Sequence, residues 1–257
     1  MTSPSGFQNE YLQMQGAFYL GDRDAQGNAQ NWRFIGNVNP ASLQAQMESS
    51  DHIESYTGKR NKDLKLFGQR TATISLTLEN LEAKNLAMAQ LGKLTTDASA
   101  TVVTNEPIPV VTGGENYLLL KNANITTFTK LAATSGGAAL PAAHYSVDLK
   151  YGIIRILNNA SFPPGASVFA DYTAGVKTRV TGLSEAVQYR WLRFNGINTL
   201  NNKSIVLHAP KVVLIPDSEL ELLTDESSVA SLAVNLDILY DGLQADQSQS
   251  YYYYDYF

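Results

Sequence analysis

Apolar and polar residues alternate over Thr71–Glu79, with Ile74, Leu76 and Leu78 on one side and Thr73, Ser75, Thr77 and Glu79 on the other. A period of two predicts a strand with one apolar and one polar face. From Asn80 the period changes. Leu81, Ala87, Met88 and Leu91 cluster on one side of a helix, so a short helix is predicted, with Asn80 as its N-cap and Gly92 as its stop. Two more stretches alternate. Over Ala41–Glu48, Leu43, Ala45 and Met47 oppose Ser42, Gln44, Gln46 and Glu48. Over Ser227–Tyr240, Leu232, Val234, Leu236 and Ile238 oppose Ser231, Asn235 and Asp237. The polar sides of these strands are small, neutral or acidic, and carry no Lys or Arg.

The remaining pattern organises the chain around these strands. Met1–Gln15 is polar and reads as a flexible arm. Gly16–Leu20 and Asn31–Val38 are aromatic-rich runs around a turn-rich segment and predict a hairpin. Ser49–Phe67 reads as a long polar connection of mixed charge, and a connection of that length is expected to touch a partner. Lys93–Pro109 reads as an irregular linker. Residues 110–175 hold short strands separated by Gly- and Pro-containing turns, and read as a small inserted all-β module. Ser204–Pro216 is a strand with Pro210 marking an edge or a bulge. The core domain is thus expected over 16–109 and 176–240, as a mainly β sandwich or barrel-like fold with one flanking helix. Residues 241–257 end in YYYYDYF and are expected, if ordered, to pack on a neighbouring molecule.

Composition narrows the function. Among 257 residues, 17% are charged and the net charge is −5, which disfavours a basic nucleic-acid-binding surface. The chain has no cysteine, so disulfides, thiol nucleophiles and thiolate zinc sites are excluded. No apolar run approaches a membrane span and no secretory leader is visible, so no membrane association is expected.

Candidate chemistry is sparse. The three histidines, His52, His144 and His208, have no metal-ligand spacing. No nucleophile-elbow, phosphate-loop or dinucleotide motif occurs. The acidic run Asp217–Glu226 fits a solvated loop better than a divalent-cation site. Lys59, Arg60, Lys62 and Lys65 are interleaved with Asp63 and lie close to Asp51 and Glu54, which favours ion pairing between subunits over phosphate binding. No catalytic residue, cofactor or metal is expected. The features are those of a subunit that assembles.

Four segments in order resemble a phage major tail tube protein: NVNPASLQAQMESSDHIESYTGKRNKDLKLFGQ, RTATISLTLENLEAKNLAMAQLG, YRWLRFNGINTLNNKSIVLHAPKVVLIP and SSVASLAVNLDILYDG. Together they span about half the chain, and the order is more informative than any one segment. The module at 110–175 departs from the pattern; similar tube proteins often carry an additional β domain, by analogy on the outer surface. The resemblance implies hexameric rings that stack into a hollow tube, with tape-measure protein and DNA in the lumen, and terminator and tip or baseplate proteins at the ends. It places the protein in the virion tail, assembled in the host cytoplasm. It further implies that Gln44, Gln46, Glu48, Thr73, Ser75, Thr77, Glu79, Ser231, Asn235 and Asp237 line the lumen. Asp51, Glu54, Lys59, Arg60, Lys62, Asp63 and Lys65 would belong to a loop that reaches the adjacent ring. Two alternatives stay open: the inner tube of a type VI secretion or other contractile injection machine, and a carbohydrate-binding β-sandwich using Tyr145, Tyr151 and Trp191.

Overall fold

The computed structural model describes residues 11–56, 58–110, 116–215, 219–220 and 229–257. In chain order its elements are β1 (Met14–Arg23), β2 (Ala29–Phe34), β3 (Val38–Ile53), β4 (Lys62–Leu78), α1 (Ala83–Ala89), β5 (Lys93–Thr96), β6 (Thr101–Pro109), β7 (Tyr117–Leu119) and β8 (Ile125–Ala132). There follow β9 (Tyr145–Asp148), β10 (Ile153–Ile156), β11 (Ser167–Ala174), β12 (Thr178–Thr181), β13 (Tyr189–Asn198), β14 (Ser204–Ile215), β15 (Leu232–Ile238) and β16 (Tyr253–Tyr256). The protein is mainly β, with antiparallel sheets and one α-helix, and no sheet among the described residues closes into a barrel.

The chain divides into two units, one formed by 1–93 with 180–257 and the other by 94–179. In the first, the strands run β2-β1-β13-β14-β15-β4-β3 across one sheet, and β16 pairs with β14 beside β15. The period-two pattern is realised here. Ala72, Ile74, Leu76 and Leu78 of β4 are buried, and so are Leu232, Val234, Leu236 and Ile238 of β15. These side chains share one apolar cluster with Phe18, Leu20, Ile35, Leu192 and Val212, so strands from both ends of the sheet cover a common core. Each fully buried Leu or Ile contributes about 1.5–3 kcal/mol relative to exposure.

α1 packs on this core, but with other caps than the sequence pattern predicts. Its N-cap is Glu82, without a side-chain cap bond, and its C-cap is Gln90. The left-handed residue that ends it is Leu91 (φ 45°). Gly92 meets a different constraint: a Cβ there would lie 2.9 Å from the Thr181 carbonyl oxygen. Asn85, silent in the hydrophobic pattern, is fully buried. Its Nδ2 donates to the carbonyls of Ile35 and Asn80 (both 2.8 Å), and its Oδ1 accepts from Arg33 Nη1 (2.5 Å).

Two further readings change in this unit. The start of the sheet reaches back into the expected arm, because Met14 and Gln15 already pair with Asn198 and Ile197. The Asn198 side chain also accepts from Gln13 N (3.1 Å) and donates to the Tyr11 carbonyl (2.8 Å). The Tyr-rich segment is ordered on its own chain: Tyr253–Tyr256 pair with His208–Ile205 of β14. His208 stacks on Tyr253, its ring centroid 4.6 Å away, and its Nε2 lies 3.2 Å from Asp255 Oδ2. Pro210, by contrast, sits where expected, at the register shift between β13 and β14.

The second unit is larger at both ends than 110–175. Lys93–Pro109, expected as irregular linker, supplies β5 and β6. Two three-stranded sheets, β7-β10-β9 and β6-β11-β8, enclose a core that includes Leu131, Ile154, Val168 and Tyr172, and β5 pairs with β12.

Candidate functional site: a polar sheet face and a projecting hairpin

Residues that are direct partners in an antiparallel ladder share a face. The register therefore sets out the polar side of β3, β4 and β15 row by row. Gln44 pairs with Thr73, which pairs with Asp237; Ser42 pairs with Ser75, which pairs with Asn235. Side chains bridge the rows, with Thr73 Oγ1 donating to Asp237 Oδ1 (2.9 Å) and Ser75 Oγ to Asn235 Oδ1 (2.7 Å). Gln46 continues this face opposite Thr71, Glu48 follows at the same parity, and Thr77 lies opposite Ala233. Glu79 and Ser231 lie just beyond the strand ends; Glu79 accepts from the Asn37 side chain. All ten residues assigned to the lumen from sequence thus fall on, or border, one patch of three adjacent strands.

One cation reaches the patch that the sequence pattern had left without any. Asp237 pairs with Val213 of β14, and Val213 pairs with Tyr189. Lys211 places its Nζ 4.7 Å from the centre of the Tyr189 ring in that row. The bulge around Pro210 hid Lys211 from a strict alternation.

Ser49–Phe67 is not a loop. β3 and β4 stay paired from Val38↔Leu78 out to Ile53↔Lys62, forming a two-stranded arm. All residues of 44–53 and 62–71 are exposed, so both faces of the arm are open. Between Ala45 and Ile53 the arm extends about 26 Å at ~3.3 Å per residue. The face continuous with the core carries Met47, Ile53 and Phe67, and the opposite face carries Leu64 and Leu66.

The seven residues assigned to ring stacking all lie on this arm, but their charges are largely engaged within it. Lys62 Nζ is 2.5 Å from Asp51 Oδ1, and His52 Nδ1 is 2.7 Å from Asp63 Oδ1. The bond from His52 holds the Asp63 carboxyl below its usual range. Lys65 stands opposite Asp51, with its Nζ 6.0 Å from the Phe67 ring centre. Glu54 is buried and shapes the tip, accepting from Tyr56 N (3.1 Å) and Asn61 N (3.3 Å). Arg60 adopts φ 53° in the turn that also contains Lys59. Within the single chain, Lys62 thus pairs with Asp51 and His52 with Asp63 inside the hairpin. What the arm offers outward is mixed, with Met47, Ile53 and Phe67 set among Arg70, Asp51 and Lys65 on one side and Leu64 and Leu66 on the other.

A further feature had no sequence signal. A cleft of about 900 Å³ opens in the first unit, lined by Met14, Phe18, Leu43, Phe194, Leu207 and Tyr254 among others, and no lining residue is charged. Its walls come from six strands far apart in the chain, which is why alternation within one strand could not reveal it.

Other candidates are placed as follows. Asp217–Glu226 lies outside the described residues except for Glu219 and Leu220. His144 Nδ1 is 2.6 Å from Ser161 Oγ. Among the described residues no group of three or more His, Asp or Glu is placed to hold a metal ion, and no helix is long and apolar enough to cross a membrane. Tyr145 is half-buried against Phe128 (6.1 Å between centroids), and Trp191 donates to the Gly27 carbonyl (2.8 Å). Tyr145 belongs to β9 and Trp191 to β13, in different sheets, whereas Tyr151 is exposed on a turn.

The architecture defines a mainly β protein with a sandwich-like core and an inserted β unit. The chain belongs to the family described as "Protein of unknown function UCP028589", whose model matches residues 11–254. That match spans both units. No curated protein matches the chain.

Proposed function

We propose that this protein is a structural subunit of a phage tail tube, assembling through self-association into stacked rings around a channel that conducts DNA. One observation carries this reading: the small, neutral-to-acidic face of β3, β4 and β15 continues directly into a long arm that is exposed on both sides. A conduit must not hold its cargo. Polyanion affinity rises with each cation that displaces counterions from phosphate, so a face of Gln, Ser, Thr, Asn and Asp gives DNA little to bind. An arm that leaves its own domain suits head-to-tail contact between identical rings, which generates filaments. The long outer edge of β3 is the kind of strand edge that ring closure can pair. On this reading the patch residues line the lumen, the tape-measure protein precedes DNA there, and the arm reaches the next ring.

Negative-stain microscopy of the purified protein tests it. Tubes with a central channel are expected. A compact monomer that stays monomeric at high concentration would sink the reading.

A further inference from the structure

We propose that Lys177 and Asn122 of the second unit condense into an amide, joining the two side chains covalently with loss of ammonia. The inference concerns the second unit alone and does not rest on the tube reading.

The reacting groups are already in contact. Lys177 Nζ lies 2.5 Å from Asn122 Oδ1. One bond further on, the amide carbon Cγ is about 3–3.5 Å from Nζ, the separation from which an amine attacks a carbonyl. A turn of the amide about its Cβ–Cγ bond presents its face to Nζ. The backbone on both sides is pinned. Asn124 Nδ2 donates to the Val176 carbonyl (2.9 Å), Gly175 N to the Asn124 carbonyl (2.7 Å) and Asp97 N to the Lys177 carbonyl (2.9 Å). A Cβ at Gly175 would lie 2.8 Å from Asn124 Nδ2, so the glycine permits this close approach.

The groups around the pair supply what the step requires. A lysine attacks as the free amine, so its ammonium must first lose a proton. Asp97 Oδ2, 3.8 Å from Nζ, is placed as the base. On the other side, Asn122 Nδ2 is the leaving nitrogen, and it donates to the Tyr172 hydroxyl (3.1 Å). That hydroxyl donates in turn to Glu106, whose other carboxylate oxygen accepts from Lys121 N (2.7 Å). Donation to a carboxylate makes the hydroxyl a stronger acceptor, so positive charge building on the departing nitrogen is stabilised there.

The step balances. The Nζ ammonium gives one proton to Asp97 and attacks Cγ, forming the new C–N bond. A second proton passes from Nζ to Nδ2. The Cγ–Nδ2 bond breaks, and ammonia departs as ammonium with the proton that Asp97 held. No electrons change hands.

The product is a lock in a chain without cysteine, where no disulfide can form. It spans 55 positions and ties the segment between β7 and β8 to the end of β11, close to where the chain leaves the unit.

Mass spectrometry of the purified full-length chain, denatured before measurement, tests this. The wild type is expected to be about 17 Da lighter than its sequence, the mass of the ammonia lost, and its digest to contain one branched peptide joining Asn122 to Lys177. Lys177→Arg keeps the positive charge and is expected to restore the full mass. Asp97→Asn and Glu106→Gln leave both reacting groups in place, and each is expected to slow the loss of mass about tenfold or more in freshly made protein. A wild type that keeps its full mass after days at about pH 9, where more of each lysine is neutral, would overturn the bond. So would the same loss of mass in Lys177→Arg, because an asparagine that closes on its own backbone also releases ammonia.

Discussion

Tyr172 shows how much a single buried polar group can demand. It is 1% exposed in the core of the second unit, and its hydroxyl donates to Glu106 while accepting from Asn122 Nδ2 (3.1 Å). Burial, and then the bond to Glu106, push its pKa up from 10.0 to about 12. The unfolded chain loses this proton near 10, the folded chain only near 12. The stability contributed is therefore complete below pH 10 and is lost as the pH rises through about 12. Alkaline unfolding of this unit should begin in that window, and Tyr172→Phe should flatten it while costing about 1–2 kcal/mol near neutrality, as read from denaturant melts with pH. On the polar patch, Ser75→Lys with Thr77→Lys should leave the melting temperature within a few degrees, since Ser75 is exposed and Thr77 half-exposed. The same pair should slow DNA ejection from assembled tails; normal ejection would place the patch away from a channel. The patch residues were legible because each lies in an unbroken run of alternation. Lys211 and Asn85 were not, since a bulge shifted one and the other's burial depends on backbone carbonyls at Ile35 and Asn80.

At the scale of elements, β15 and the inner part of β4 were readable for a simple reason. One side of each faces a core and the other does not, so the contrast is written every second residue. Leu236→Ala, at a site 2% exposed, should cost about 2–5 kcal/mol in a chemical denaturation series. The arm lacks that contrast. Both its faces are exposed, and register shifts between Met47 and Ser49 and between His52 and Ile53 break the period. A strand of this kind looks like a polar loop. Replacing Ser49–Phe67 by a two-residue turn should leave the rest of the sheet intact by circular dichroism and abolish stacking in microscopy. Unchanged tubes would remove the arm from assembly. The helix was legible as an element but not in its ends, because Gly92 is needed for close approach to Thr181 rather than for a left-handed turn.

For the molecule as a whole, the β-rich class and an inserted β unit followed from short strands and frequent turns. The boundary did not. Thr101–Pro109 contains two prolines and a Thr/Asn-rich stretch, yet it forms β6 along β11, with a register shift that absorbs the irregularity. The second unit holds its own core, including Leu131, Ile154 and Val168. Expressed alone, 94–179 should fold cooperatively, and a chain with 93 joined to 180 should keep the melting transition of the first unit. Two-state melts of both pieces check this; a molten 94–179 would mean that its core needs the rest of the chain.

The division of the chain also sets a timetable for synthesis. The second unit is contiguous, so all its strands leave the ribosome together. The first is not: Ser75 and its partner Asn235 are 160 positions apart, and Phe18 waits for Phe194. While the second unit completes its core, the apolar side of β4 stands without β15. A chain ending at residue 179 should therefore resist protease within 94–179 and be cut within 14–78. That interval is when the protein is most open to wrong partners.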